Sequence, residues 1–352
     1  MYEASPVRRW MGAQEISGAH CWGVNAPIDS PSPSLVLTSP LTIAAALPHL
    51  LGFHPRESLV SLWLHQQEVL VVQRADLPDG DEGADTACYL RAYLTPAAGI
   101  GADEVVIVCV TSRSRLGESL IDAFSRECMV PVKARLLVHG SQVRAMDVSG
   151  GWQWVSSDAR QHVHRRLTNT KRRVRRSRSE VVAEVEFDPD RVWKVSRDGL
   201  PAQPADILRF LVVGGFRTHA GCRRLRDIAI TVEGRDLLVW WCARSTMDQR
   251  HELLVALMSC LQATPPGRSS HLACATAAVA WMVGDGVRAN AALDRCLREA
   301  PDHLFAALVE RAIGAALAPA VFAGFLREMN PTEFGVSQDT VDELLGGRYI
   351  DA

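Results

Sequence analysis

Three residues in one short turn could carry hydrolytic chemistry. The stretch LLGFHPRESLV places His54, Glu57 and Ser58 within five positions, and serine hydrolases combine a histidine base with an acid and a serine hydroxyl. The serine, however, lacks the Gly-x-Ser-x-Gly turn that exposes such a nucleophile. We therefore favour a structural role, in which Gly52 and Pro55 shape the turn and the glutamate caps or pairs, and we predict no catalytic residue.

A second polar group follows the apolar run EVVIVCV, which ends at Val110 and predicts a buried strand. Open α/β sheets bind ligands beyond the carboxyl ends of their strands. The alternative function is therefore a small-molecule-binding protein or an enzyme with a pocket at this edge, where hydroxyls and arginines would hold an anion. The predicted pocket residues are His54, Glu57, Ser58, Thr111, Ser112, Arg113 and Arg115.

The strongest electrostatic feature is a run of nine basic residues without an acid, from Arg160 to Arg178. The chain has 38 bases and 40 acids, so the residues outside this run include 29 bases and all 40 acids. Such a run supports salt-sensitive binding to nucleic acid or another polyanion. No aromatic residue interleaves the charges, although Trp152 and Trp154 precede them, so base stacking is not predicted. The competing interpretation is a solvated linker or a cover for the acidic body. The predicted contact residues are Arg165, Arg166, Lys171, Arg172, Arg173, Arg175, Arg176 and Arg178.

The sequence predicts neither a metal nor a cofactor. The nine cysteines lie at least fourteen positions apart, so the spacing of a zinc site is missing and we expect reduced, mostly buried thiols. His162 and His164 stand two positions apart among cationic residues, which oppose a divalent ion. The GDGVRA stretch matches the dinucleotide fingerprint GxGxxA, but it follows a predicted helix instead of the required strand.

The elements that must position these residues divide the chain into four predicted parts. Prolines and serines indicate a flexible leader over residues 1–34. Over residues 35–150, strands alternate with helices, and a strand–helix–strand crossover predicts an α/β domain with a mixed, partly parallel sheet. Residues 151–203 are the basic connector. Helical periodicity dominates residues 204–352, where only IAITV and LLVWW resemble strands, so the carboxy-terminal domain is predicted to be mainly α-helical.

Local signals set several boundaries. Ser39 and Pro40 predict a helix start, Gly52 predicts its end after Leu51, and Pro48 should kink or end it earlier. The runs SLVSLWL and VLVVQR predict a hairpin with HQQE as a four-residue connection.

One helical hairpin resembles a tetratricopeptide unit. Gly284, Ala289, Leu293 and Pro301 stand where that unit places its turn glycine, its two packing residues and its terminal proline. Only one unit matches, whereas a stable solenoid needs about three. We therefore expect a generic helical hairpin inside a packed domain.

Two stretches resemble a known family. They are LTSPLTIAAALPHLLGFHPRESLV, near residue 37, and ATAAVAWMVGDGVRANAALDRCLREAPDHLFAALVERAI, near residue 275. They resemble an actinobacterial family of unknown function with LLGFxPxxSLV and AWxxGDGxxAxxALxRxL signatures. The resemblance spans about Leu35 to Met329 and implies a cytoplasmic protein without an established activity. After Trp154 the family has a cysteine-rich stretch, and this chain has the basic run in its place.

Composition is consistent with these expectations, because 47% hydrophobic and 22% charged residues are typical of a globular protein. The longest apolar run is thirteen residues, shorter than the roughly 20 that span a bilayer. We expect a non-enzymatic cytoplasmic binding or regulatory protein without a membrane partner. Its connector would contact nucleic acid, and its helical domain would contact a protein partner.

Overall fold

A computed structural model describes residues 22–24, 39–78, 86–146, 150–155, 174–193 and 203–346. Within these residues, seven strands form one sheet. They are β1 (Trp22–Val24), β2 (Ser58–His65), β3 (Glu68–Asp76), β4 (Glu104–Val110), β5 (Val132–His139), β6 (Gln142–Met146) and β7 (Trp152–Trp154). Their order across the sheet is β1-β3-β2-β4-β5-β6-β7.

The sheet is mixed, as predicted. Strands β4 and β5 pair in parallel, and the other neighbouring strands pair antiparallel. A parallel pair needs a crossover connection, and an amphipathic helix supplies it here. The helices of this region are α1 (Pro40–Leu51), α2 (Thr86–Leu94) and α3 (Ser114–Glu127).

Helices cover both faces of the sheet. On one face, α1 packs Leu47 into a cluster with Val60 and Val108. On the other, α2 and α3 pack against the neighbouring strand positions, where Phe124 lies 6.2 Å from Trp63 between ring centroids. Successive strand residues point to opposite faces, which explains why the central strands are apolar without alternation.

Helix α1 begins and ends where its sequence predicts. Ser39 and Thr42 form a capping box, Pro40 occupies the first helical position, and Gly52 ends the helix with a φ of 80°. Pro48 lies inside the helix and does not end it, because the helix continues to Leu51.

The prediction of a four-residue hairpin connection was wrong. Strand β2 extends to His65 and β3 begins at Glu68, so only Gln66 and Gln67 connect them. Both have positive φ, 50° and 69°, which is the geometry of a two-residue type I′ turn. Neither residue belongs to the types that usually signal this turn, and the sequence pattern therefore missed it.

The second part of the chain is helical. Its helices are α4 (Arg178–Ala183), α5 (Pro204–Val212), α6 (His219–Ala229), α7 (Val232–Ala243), α8 (Met247–Gln262), α9 (Ser270–Met282), α10 (Gly286–Glu299), α11 (Leu304–Gly314), α12 (Pro319–Glu328) and α13 (Gln338–Leu345). Helix α9 is central, since α7, α8 and α10 all contact it. From Leu272 to Met282 every residue of α9 is buried, and a helix that is apolar all round is a core helix. No helix of the described ranges is long and apolar enough to span a bilayer.

The two predicted strands of the helical region were wrong. LLVWW lies inside α7, where all five residues are buried. IAITV spans the junction of α6 and α7, where Thr231 caps α7 by accepting the amide of Gly234. A short apolar run buried on all sides looks the same in a helix and in a strand.

Parts of the predicted leader and connector take up regular structure. Strand β1 pairs with β3, β7 pairs with β6, and α4 contacts α10. Val181 of α4 and Val287 of α10 belong to the same apolar cluster as α1, so the helical part completes one face of the sheet. The described residues leave out 1–21 and 25–34 of the leader and 156–173 and 194–202 of the connector, with His162 and His164, and the four-part division stays a prediction.

Candidate functional site

The chain leaves the sheet for the basic run at the carboxyl edge of the parallel strands. Val110 of β4 pairs with Val138 of β5, which pairs with Val143 of β6. The amide of Val155 then donates to the carbonyl of Val143 at 2.9 Å. Because these pairings form one row across the sheet, residue 155 lies at the level where β4 ends. This is the edge at which an α/β sheet is expected to bind ligands.

The chain also returns to this edge. Arg175 forms an isolated parallel bridge with Phe53; its amide donates to the carbonyl of Gly52 at 2.8 Å, and its carbonyl accepts the amide of His54 at 3.1 Å. Phe53 lies five residues before β2 begins at this same edge. The described chain therefore stops and resumes at one edge. Residues 156–173, with Arg165, Arg166, Lys171, Arg172 and Arg173, lie outside the described residues.

The carboxylate of Glu57 holds the loop after β4. Its Oε1 accepts the amide of Ser112 at 2.8 Å and the Ser112 hydroxyl at 2.9 Å. Its Oε2 accepts the Thr111 hydroxyl at 2.7 Å and Nε of Arg113 at 3.2 Å. Burial alone would raise the pKa of Glu57, but these four hydrogen bonds outweigh it and lower the pKa to about 2. Glu57 is therefore a fixed anion that orients the loop and is a poor general base.

The backbone of Glu57 shows the same constraint. Its φ is 41°, in the left-handed region that non-glycine residues seldom adopt. The surrounding hydrogen bonds sustain this conformation, including the amide of Leu77, which donates to the Glu57 carbonyl at 2.9 Å. Strained backbone of this kind is concentrated at functional sites.

The other predicted pocket residues do not form a hydrolase arrangement. Ser58 is fully buried; its hydroxyl donates to the carbonyl of Arg56 at 2.6 Å and accepts Nε of Arg74 at 3.0 Å. His54 and Arg115 are exposed, and no bond joins His54 to Ser58 among the residues that the structure describes. The edge thus brings Glu57 together with the loop after β4, while the serine is held as part of the sheet.

Sequence reasoning missed Arg74, which lies beneath this edge on β3. Its side chain is only 6% exposed, it ion-pairs with Asp76, and its guanidinium carbon lies 5.7 Å from the centroid of the Phe53 ring. Nothing in the strand pattern marks an arginine that turns inward. The signal appears only with the hairpin register, which sets Arg74 opposite the buried Val60.

Three arginines present positive charge around the edge. Arg56, Arg115 and Arg176 are exposed, and within the described ranges no carboxylate lies at ion-pair distance from their guanidinium groups. Arg113 and Arg175 are instead paired with glutamates. Burial and the nearby Arg74 lower the pKa of Arg178, which stays half-buried. The edge therefore carries both fixed and unpaired cations.

Comparison with known proteins gives a family without an activity. The family model described as a domain of unknown function (DUF4192) matches residues 40–200 and, again, residues 156–320. The chain belongs to this family. Neither the curated proteins nor the solved structures contain a match. The DUF4192 match covers both the sheet and the helical part, and its description assigns no reaction.

In this DUF4192 chain, ion pairs connect the edge with the helical part. Arg175 pairs with Glu184, which accepts Nε of Arg288 at 2.9 Å, and Arg288 also pairs with Asp285. Burial would lower the pKa of Arg288, but Asp285 and Glu184 raise it overall. The chain of four charges joins the turn around Phe53 to the GDGVRA stretch, which are the two regions that carry the family resemblance.

The GDGVRA stretch has a structural role in this chain. Gly284 has a φ of 79°, the left-handed conformation that the turn after α9 requires. Asp285 caps α10 by accepting the amide of Arg288 at 3.2 Å. An aspartate already occupies the helix end at which a nucleotide phosphate would bind, and a helix precedes the turn where the fingerprint needs a strand.

The fold also assembles a buried cluster that sequence spacing did not indicate. Cys274, Cys296 and His303 are buried and place one ligand atom each within 4.8 Å of one another. Nδ1 of His271 lies 2.9 Å from Nε2 of His303, and Nη1 of Arg235 lies 3.3 Å and 3.2 Å from these two nitrogens. The cluster joins residues from four helices or their caps, and no local motif could have predicted it.

The hydrogen bonds of His303 oppose a metal ion in this cluster. The amide of Ala306 donates to Nδ1 of His303 at 3.1 Å, so that nitrogen is unprotonated and the neutral ring carries its proton on Nε2. A metal on Nε2 would require the proton on Nδ1 and would remove the cap of α11. Burial and Arg235 lower the pKa of His303 to about 4, and burial raises the pKa of Cys274 well above its usual value. The donor set fits a neutral polar network.

Proposed function

We propose that this protein binds a polyanion, and nucleic acid in particular, at the carboxyl edge of its sheet. The observation that carries the proposal is that the described residues on the two sides of residues 156–173, namely Val155 and Arg175, both lie at this edge. The edge itself presents the exposed Arg56, Arg115 and Arg176. That Arg115 of the predicted pocket and Arg175 and Arg176 of the predicted basic contacts lie at the same edge supports the proposal.

The fixed groups at the edge suit binding more than reaction. The hydrogen bonds of Glu57 orient the loop that precedes Arg115, and the backbone bonds of Arg175 position Arg176. Because the backbone that carries these arginines is already ordered, binding a phosphate costs only the ordering of the side chains and not that of the loop as well. Phosphate contacts of this kind release counterions and carry little sequence information. A cytoplasmic location and a protein partner for the helical part stay predictions that this function accommodates.

The test is a salt titration of binding to labelled DNA, both duplex and single-stranded. The test variant changes Arg56, Arg115 and Arg176 to glutamine. Its matched control changes three exposed arginines of the helical part to glutamine, namely Arg224, Arg268 and Arg311. Both variants lose three charges, so a difference between them reports the position of the charges and not the net charge.

We expect the edge variant to weaken binding at low salt and to flatten its salt dependence. Each phosphate contact contributes about 0.7 to 0.9 to the slope of log K against log salt, so losing three contacts lowers the magnitude of the slope by about 2 to 3. The control should retain the slope of the natural protein. Equal slopes for all three proteins, or no binding by the natural protein, would refute the proposed function.

A further inference from the structure

A tryptophan pair borders the same edge on strand β7, at the end of the sheet. Trp152 and Trp154 stand two positions apart and so point to one face. Arg144 of β6 lies against both, with its guanidinium carbon 5.6 Å from one ring centroid and 5.5 Å from the other. Arg144 is held in turn by an ion pair with Glu118 of α3. The rings therefore have a supported position.

Trp154 is far more exposed than a tryptophan usually is. The residue is 63% exposed, whereas Trp152 packs against the cluster that α3 covers. Large aromatic side chains are buried on average, and an exposed one that is held in place indicates a contact surface. The stacking of Arg144 limits the freedom of the ring, and a platform fixed beforehand costs less entropy when a partner binds.

The surroundings of Trp154 determine the chemistry of that partner. Arg115 lies three residues before Glu118 on α3, so the two share one helix face, and Glu118 contacts the arginine that stacks on the tryptophan. The run with nine basic residues begins six positions after Trp154. An apolar ring at the edge that also carries the exposed Arg115 complements a ligand that has flat, apolar faces and negative charges, as unpaired nucleotides do.

We propose that Trp154 stacks on an unpaired base of a single-stranded nucleic acid, with Arg115 contacting an adjoining phosphate. This inference rests on the proposed function and names its substrate class. A duplex keeps its base faces inside the stack, so the platform favours single strands. The sequence alone shows no aromatic residue among the charges, whereas the sheet brings Trp154 to the edge that carries the exposed Arg115.

The experiment compares a fluorescein-labelled twelve-nucleotide oligothymidine with heparin, a polyanion without bases. The variants are Trp154→Ala and Trp154→Phe. The control is Met129→Ala, because Met129 is 97% exposed and follows α3 at the opposite end of that helix. Thermal unfolding of each variant checks the fold, and size-exclusion chromatography with light scattering checks the oligomeric state.

We expect Trp154→Ala to weaken oligothymidine binding by about fivefold or more, the range for losing one base–aromatic stack. Heparin binding should stay unchanged, Trp154→Phe should keep part of the affinity, and Met129→Ala should match the natural protein. Binding of oligothymidine should also quench tryptophan fluorescence, and that quench should shrink in Trp154→Phe.

Three results would overturn the inference. Unchanged oligothymidine affinity in Trp154→Ala would exclude stacking, and the proposed function would survive if the arginine variant still lost binding. Equal losses for oligothymidine and heparin would make Trp154 structural. A dimer that Trp154→Ala converts to a monomer, with nucleic-acid binding intact, would assign the tryptophan to a contact between two copies of the chain.

Discussion

The change Glu184→Gln should destabilise the junction between the edge and the helical part. Glu184 accepts Nε of Arg288 at 2.9 Å and also pairs with Arg175. The substitution keeps the size of the side chain and removes its charge. Arg288 would keep Asp285 as a partner, whereas Arg175 would keep no carboxylate among the residues that the structure describes.

Burial sets the size of the expected effect. The side chains of Arg288 and Glu184 are 10% and 16% exposed, and removing one partner of a buried pair costs about 3 to 5 kcal/mol. Because Asp285 still compensates Arg288, we expect the lower end, about 3 kcal/mol. The control is Glu186→Gln on the same segment. Glu186 pairs with Arg298 with exposures of 38% and 62%, and such surface pairs contribute about 0 to 1 kcal/mol.

Urea unfolding measures both variants, and hydrogen exchange locates the loss. In Glu184→Gln the amides of Arg175 and His54 should exchange faster, since their bonds attach the connector to the turn around Phe53. In Glu186→Gln both amides should exchange as in the natural protein. If the two variants lose equal stability, the chain of ion pairs does not hold the junction and the reasoning is refuted.

Three further predictions concern stability and thiol chemistry. Burial, Arg235 and His271 lower the pKa of His303 from 6.5 to about 4. The contribution of this neutral histidine to stability is therefore complete above pH 6.5 and is lost as pH falls toward 4. The free energy of unfolding of His303→Asn, measured in urea, should depend less on pH than that of the natural protein. A Cβ at Gly221 would lie 1.8 Å from the carbonyl oxygen of Gly215, so Gly221→Ala should lower the free energy of unfolding in urea by about 1 to 3 kcal/mol. The control Gly324→Ala has open space around the added Cβ and should not lower the free energy of unfolding. Burial raises the pKa of Cys242 to about 12, so a thiol reagent followed by peptide mapping should label exposed Cys88 in the native protein and Cys242 only after unfolding.

Much of the fold could be predicted because its signals are local. The capping residues of α1 and the apolar run of β4 depend on neighbours in sequence, and their boundaries agree with the structure. The failures have a common cause. Burial on all sides determines the helix that contains LLVWW, and strand twist determines the Gln66–Gln67 turn. Neither leaves a distinct local pattern in the sequence.

The candidate site could be predicted only in part. The turn before β2 and the loop after β4 were expected at one edge because strand ends meet there. The return of the connector at Phe53 could not be expected, since backbone hydrogen bonds form it and carry no side-chain signal. Arg74 and Trp154 were missed for a related reason. Register determines whether a strand residue turns inward or stands exposed at the end of the sheet.

The position of Arg175 connects binding at the edge with stability of the junction. Arg175 is both a predicted contact for the polyanion and the partner of Glu184. A phosphate that binds Arg175 must therefore compete with Glu184. By linkage, the ion pair weakens phosphate binding by the same factor by which bound phosphate weakens the ion pair. Glu184→Gln should lower the free energy of unfolding and, in the same protein, strengthen polyanion binding at low salt. If Glu184→Gln weakens polyanion binding as well as lowering the free energy of unfolding, Arg175 serves only to anchor the connector. The contacts with phosphate then belong to the exposed arginines alone.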